Sequence, residues 1–87
     1  MDFEYSNSEL LDLATAGDKD AQFTLAYRYE NGIGFDVSLA KAYAWAYVTA
    51  PYSKNMFLKR ISNQLTGSSE LHSARLFAMK LERIINS

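Results

Sequence analysis

Apolar residues recur at steps of three and four along nearly the whole chain, and this spacing limits the fold more than any other feature of the sequence. Ala21, Leu25 and Tyr29 are four residues apart, which places them on one face of a helix. No stretch shows the period of two that is typical of a half-buried strand. The sequence therefore predicts an all-α fold of about five helices joined by short turns.

Capping residues and glycines set the expected limits of the first two helices. Ser8 is a candidate N-cap for a short first helix, and Gly17 is a candidate stop. The second helix is expected from near Asp18 to Asn31. Gly32-Ile33-Gly34 then breaks it, because glycine tolerates the positive φ that larger residues resist.

Three more helices follow from the same rules. Ser38 can cap a third helix over about 39–50, and Pro51 prevents its continuation. A fourth helix is expected over 54–65 and a fifth over 70–85. On the third helix the predicted apolar face carries Leu39, Ala42, Trp45, Ala46 and Thr49. On the fifth, a seam for packing on another helix consists of Leu71, Ala74, Ala78, Leu81 and Ile85.

Length and composition limit the class of protein. A chain of 87 residues forms a single domain, here 1–87. With no cysteine and one histidine, it has no disulfide and no thiolate or imidazole metal cluster, and we expect no cofactor. The first residues are acidic, unlike those of a signal peptide, and no apolar run is long enough to cross a membrane. We therefore expect a cytoplasmic protein.

The net charge of −1 conceals two oppositely charged halves. Residues 1–36 hold eight acids against two bases, a net charge of −6, and residues 37–87 hold seven bases against two acids, a net charge of +5. The two halves attract each other, either within one chain or head to tail between chains.

A more specific pattern occupies residues 14–53. It consists of Ala21-x-x-x-Leu25-Ala26-x-x-Tyr29-x-x-Gly32-x-Gly34-Phe35, followed by Lys41-Ala42-x-x-Trp45 and Thr49-Ala50. This pattern closely resembles the Sel-one-like repeat, a relative of the tetratricopeptide repeat (TPR) with a longer, glycine-containing loop between its helices. The resemblance implies an antiparallel helix-turn-helix α/α unit. It also implies structural roles for Ala21, Leu25, Tyr29, Gly32, Gly34, Ala42 and Trp45.

The chain departs from the family pattern near the end of the third helix. Pro51 and Ser53 replace residues that normally lead into a following repeat, and no second copy of the pattern occurs. Residues 54–87 are expected to form a C-terminal capping helix pair, and Ala74-Arg75-Leu76-Phe77-Ala78 resembles the end of small bacterial members. Because a single repeat cannot cover its own apolar faces, either the flanking helices cap it or a second chain forms a homodimer with it.

The resemblance also implies a binding groove on the second helix. In TPR-like solenoids the face opposite Ala21, Leu25 and Tyr29 lines the concave surface that binds peptides. Here that face carries Asp20, Phe23, Tyr27 and Glu30, so aromatic side chains would anchor a basic-aromatic segment and acids would select it. The alternative is that the first helix covers Phe23 and Tyr27 with Leu10 and Leu13.

The sequence offers little for catalysis or nucleic-acid recognition. His72 has only sequence neighbours as partners, which do not form a triad along a helix. Gly32-x-Gly34 follows a helix, whereas a phosphate loop follows a strand. Several basic residues could form a phosphate-binding patch, but the absence of net positive charge argues against nucleic acid as a partner. We predict no catalytic residues and no enzyme.

These observations favour a protein-interaction adaptor or scaffold whose partner is another protein. A second hypothesis is a small regulatory or inhibitory protein that binds an enzyme or a transcription factor directly. The two hypotheses differ in whether the chain changes the activity of a purified target.

Overall fold

The computed structural model describes residues 6–49, 56–65 and 69–86, and within these ranges helix is the only regular secondary structure. Its helices are α1 (Asn7–Thr15), α2 (Lys19–Asn31), α3 (Leu39–Thr49), α4 (Met56–Leu65) and α5 (Ser69–Ile85). The prediction of an all-α fold of about five helices is confirmed over these residues, where no strand occurs. Several predictions fall outside the described residues. They concern Ala50, Pro51, Ser53, the start of α4 and the start of the turn after α4.

Helix α1 begins two residues earlier than predicted, because Ser6 is its N-cap instead of Ser8. The Ser6 hydroxyl accepts a hydrogen bond from the Glu9 backbone N–H at 3.2 Å. The Glu9 carboxylate in turn accepts one from the Ser6 N–H at 2.9 Å. This reciprocal pair is a capping box. Ser8 lacks an acid three residues later, which explains why Ser6 is the better cap.

Helix α2 has the predicted ends. The Asp18 side chain accepts a hydrogen bond from the Ala21 N–H at 3.0 Å, and Gly32 ends the helix in the left-handed conformation with φ of 70°. Gly34 also has positive φ, at 78°. These two glycines allow residues 32–38 to reverse the chain direction between α2 and α3.

Helices α2 and α3 are antiparallel neighbours. The Ser38 N–H, before α3, donates to the carbonyl of Tyr29, near the end of α2, at 3.0 Å. At the other end, Lys19 Nζ donates to the carbonyl of Val48 at 2.8 Å. Helix α1 runs antiparallel to α2 in the same way, because its N-terminal Asn7 contacts Arg28 and its C-terminal Ala14 contacts Gln22.

Helix α3 lies at the centre of the structure, and packs against α2, α4 and α5. Five consecutive residues, 42–46, are buried, so the helix is enclosed around most of its circumference. The single apolar face predicted for α3 is too narrow: Tyr43 and Ala44 are buried, whereas Leu39 and Thr49 are only half-buried. Three neighbouring helices, rather than one, cause the difference.

A single core cluster includes residues from all five helices. Helices α4 and α5 pack mainly on α3 and have little contact with each other. The predicted seam on α5 is buried through Ala74, Ala78 and Leu81. Within the described residues, every helix is too short or too polar to cross a membrane.

Candidate functional site

The outward side of α2 carries the four residues predicted to bind a partner. Asp20, Phe23, Tyr27 and Glu30, together called the α2 face, lie opposite the buried Ala21, Leu25 and Tyr29. Phe23 and Tyr27 are each 49% exposed. Helix α1 therefore leaves half of each aromatic side chain open to solvent, although the alternative interpretation placed both beneath Leu10 and Leu13.

Helix α4 forms the second wall of this site, beside Phe23. The Phe57 ring meets the Phe23 ring edge to face, with centroids 5.0 Å apart and planes at 71°, a favourable geometry for two aromatic rings. Phe57 is buried whereas Phe23 is half exposed. This contact fixes one side of Phe23 and leaves the other side available to a ligand.

Glu30 is bound by α4 and is not an open acidic group. Arg60 donates to its carboxylate through Nη2 at 2.7 Å and Nε at 3.1 Å, a bidentate geometry. Gln64 Nε2 adds a third hydrogen bond at 3.1 Å. The positive charge of Arg60 offsets the negative charge of Glu30, so Asp20 is the exposed acid of the α2 face.

Arg60 joins the charged and aromatic parts of the site. Its guanidinium carbon lies 4.7 Å from the centroid of the Phe57 ring, within the range of a cation–π interaction. The exposed side of α4 continues from Arg60 as a shallow depression, which is lined by Met56, Lys59, Arg60, Asn63 and Gln64. The site thus runs from an acidic and aromatic edge on α2 to a basic and amide-rich edge on α4.

The residues assigned structural roles lie behind this surface. Ala21, Leu25, Tyr29, Ala42 and Trp45 are all buried. The Tyr29 ring stacks on Phe35 at a centroid distance of 4.1 Å, with Lys41 Nζ 5.6 Å from its centroid. Burial raises the pKa of the Tyr29 hydroxyl, because it disfavours the charged phenolate.

Three residues of this site are not predicted from the sequence: Phe57, Arg60 and Gln64. They lie 30 or more residues from their partners on α2, and no local pattern indicates which side of α4 faces α2. One face of α4 is rich in apolar residues, which predicts that this helix packs on a neighbour but does not indicate which one. The buried residues of that face are Phe57, Leu58, Ile61 and Leu65.

The described residues offer no constellation for metal binding, since no group of three His, Asp or Glu side chains is close enough to hold an ion. His72 is exposed on α5. The α2 face presents aromatic and acidic side chains.

Scans against protein-family models and searches of curated proteins and of solved structures find no match for this chain.

Proposed function

We propose that this chain is a non-catalytic, cytoplasmic protein-interaction adaptor built on one Sel-one-like repeat, and that its α2 face binds a segment of a partner protein. The observation that carries the proposal is the half exposure of Phe23 and Tyr27 on a helix whose opposite side is buried in the core.

The arrangement of α2 and α3 supports the repeat. Two antiparallel helices are joined through a loop with two glycines of positive φ. The large side chains at the repeat positions, Leu25, Tyr29 and Trp45, are buried. A longer, glycine-containing loop of this kind is what the resemblance implies. Helices α4 and α5 both pack on α3, as a C-terminal capping helix pair would.

The anchoring of the two aromatic side chains supports a binding role for them. Phe23 is held on one side by Phe57, and Phe23 and Tyr27 both project from a helix with capped ends. Such side chains lose little conformational entropy when a ligand covers them, and aromatic residues of this type dominate the energetics of many interfaces.

The charges indicate which partner fits. Asp20 is one helical turn from Phe23 on the same face, so a segment with a basic residue next to an apolar or aromatic one can contact both. A cation above the exposed side of Phe23 or Tyr27 would gain a cation–π interaction in addition. A basic-aromatic segment therefore remains the expected ligand, with Asp20 as its acidic contact.

Selection from displayed short random peptides tests this proposal. We expect the protein to enrich peptides that combine basic with aromatic residues. We also expect these peptides to lose binding to the double variant Phe23→Ser/Tyr27→Ser. The matched control is Ile33→Ser/Val37→Ser, which removes two exposed apolar side chains from the 32–38 loop. Enriched peptides that bind both double variants equally, or no enrichment, would overturn the proposal.

A further inference from the structure

The outward side of α5 is a second exposed surface. Its inward side packs on α3 through Ala74, Ala78 and Leu81. The opposite side, called the α5 face, carries Leu76, Met79, Lys80 and Arg83. All four side chains are exposed, including Leu76 at 48% and Met79 at 52%. Lys80 and Arg83 follow Leu76 by four and seven residues, so these three form one stripe along the helix.

The α5 face is complementary to the α2 face in both charge and spacing. On α2, Asp20, Phe23 and Tyr27 stand at relative positions 0, 3 and 7. Read in the opposite direction, Arg83, Lys80 and Leu76 of α5 stand at the same relative positions. Each stripe therefore spans about 10 Å, at 1.5 Å rise per residue.

An antiparallel alignment of the two stripes makes each pair of residues favourable. In this alignment Asp20 would form an ion pair with Arg83. The half-exposed ring of Phe23 would form a cation–π pair with the ammonium of Lys80. Tyr27 meets Leu76, so that two exposed apolar side chains cover each other. The reverse, parallel alignment places Asp20 next to Leu76, so that the carboxylate has no ion pair and Leu76 has no apolar partner.

The two faces point away from the core of the same molecule. Helices α2 and α5 both pack on α3, and the stripes lie on their solvent-exposed sides. We propose that a second copy of this chain is the occupant, with its α5 face docked head to tail on the α2 face. This inference rests on the proposed function, because it assigns a ligand to the same surface. A basic-apolar partner segment would then compete with self-association.

Sedimentation equilibrium of the full chain tests the inference over a concentration range reaching the order of 1 mM, where weak contacts become populated. We expect the mean mass to rise with concentration and the association to weaken with added salt. Asp20→Arg and Arg83→Asp should each weaken association roughly tenfold or more. The double variant Asp20→Arg/Arg83→Asp restores the ion pair with exchanged signs and should recover it.

Controls of equal charge change are Asp12→Arg on α1 and Arg75→Asp on α5, two exposed residues outside the stripes; they should associate like the unmodified chain. Thermal unfolding of each variant establishes that it is folded. A chain that stays monomeric throughout would overturn the inference, as would a double variant that associates no better than the single ones. Neither outcome affects the peptide selection, which tests the α2 face separately.

Discussion

Arg60 of α4 holds Glu30 of α2 through two parallel hydrogen bonds, at 2.7 and 3.1 Å, although 30 residues separate them in the chain. Glu30 is only 11% exposed, whereas Arg60 is 58% exposed. The pair joins the acidic half of the chain to the basic half within one molecule. It also links α4 to α2, and its Arg60 guanidinium lies over the Phe57 ring that contacts Phe23.

We expect a modest contribution of this ion pair to stability, because solvent screens the exposed guanidinium. A double-mutant cycle of Arg60→Met and Glu30→Gln should give a coupling energy of about 0.5–1 kcal/mol that falls with added salt. The control is Lys59→Met, a neighbouring exposed base on α4. A coupling near zero at low salt would mean that the pair does not hold α4 in solution.

Trp45 should be essential to the fold. It is 4% exposed on the central helix α3, so Trp45→Ala removes a large buried side chain and leaves a cavity. We expect a loss of about 3–5 kcal/mol in the free energy of unfolding, measured by urea denaturation. Trp45→Phe should cost less, because it retains part of the ring volume. A shift of only a few degrees in the melting temperature of Trp45→Ala would contradict this role.

The close approach of Gly34 to Asn7 makes a specific coupling testable. A Cβ at Gly34 would overlap the Asn7 side-chain amide, and the residue has φ of 78°. The Asn7 side chain would have to turn away, which breaks its hydrogen bond from Arg28. Gly34→Ala should therefore cost about 2 kcal/mol, and about 1 kcal/mol in an Asn7→Ala background, where only the backbone strain remains. Equal costs in the two backgrounds would exclude the coupling.

Gln22 is fully buried between α1 and α2, and half of its amide is satisfied. Its Nε2 donates to the carbonyl of Ala14 at 3.0 Å, whereas Oε1 has no hydrogen-bond partner among the described residues. The Ala14 carbonyl also accepts from the Gly17 N–H. Gln22→Leu should thus change stability by no more than about 1 kcal/mol, because it removes an unpaired polar atom together with one hydrogen bond.

Gln22→Glu tests the same site in the opposite direction. It replaces the donor with a carboxylate in a buried position, and we expect a loss of more than about 2 kcal/mol near neutral pH. Acidification should recover part of the lost free energy of unfolding, because protonation removes the buried charge. Urea denaturation at two pH values measures both effects. A Gln22→Glu variant as stable as Gln22→Leu at neutral pH would show that water reaches this position.

The raised pKa of Tyr29 predicts alkaline sensitivity. Its folded-state pKa lies above the ordinary value near 10. The free energy of unfolding is therefore unaffected by this group below the ordinary pKa, and it falls as the pH rises through the folded-state pKa. Urea denaturation at about pH 8 and about pH 11 should show a smaller decrease in Tyr29→Phe than in the unmodified chain. Equal decreases would assign the alkaline loss to other groups.

The ends of α2 follow from local chemistry, and the sequence predicts them well. Asp18 caps the first turn and Gly32 adopts the left-handed conformation, and both depend on neighbours within four residues. The predicted start of α1 at Ser8 is wrong, because Ser6 is the N-cap. Only Ser6 has an acid, Glu9, three residues later. The capping box was present in the sequence and could have corrected the prediction.

The candidate site is predictable only on its α2 side. The helical period places Phe23 and Tyr27 opposite Leu25 and Tyr29, and the structure leaves these two half exposed. The contributions of Phe57 and Arg60 depend on how α4 packs against α3 and turns toward α2. That placement is a property of the whole core, which local spacing does not determine.

A comparison of stability with binding in Tyr27→Ala tests whether the α2 face is a binding surface. If Tyr27 belongs to a binding surface, the free energy of unfolding should fall by less than about 1 kcal/mol. The affinity for a selected basic-aromatic peptide should fall at least about tenfold, as measured by calorimetric titration. A loss of several kcal/mol in stability would place Tyr27 in the core, and unchanged peptide affinity would remove it from the binding surface. Either result would contradict a role of Tyr27 in binding a partner.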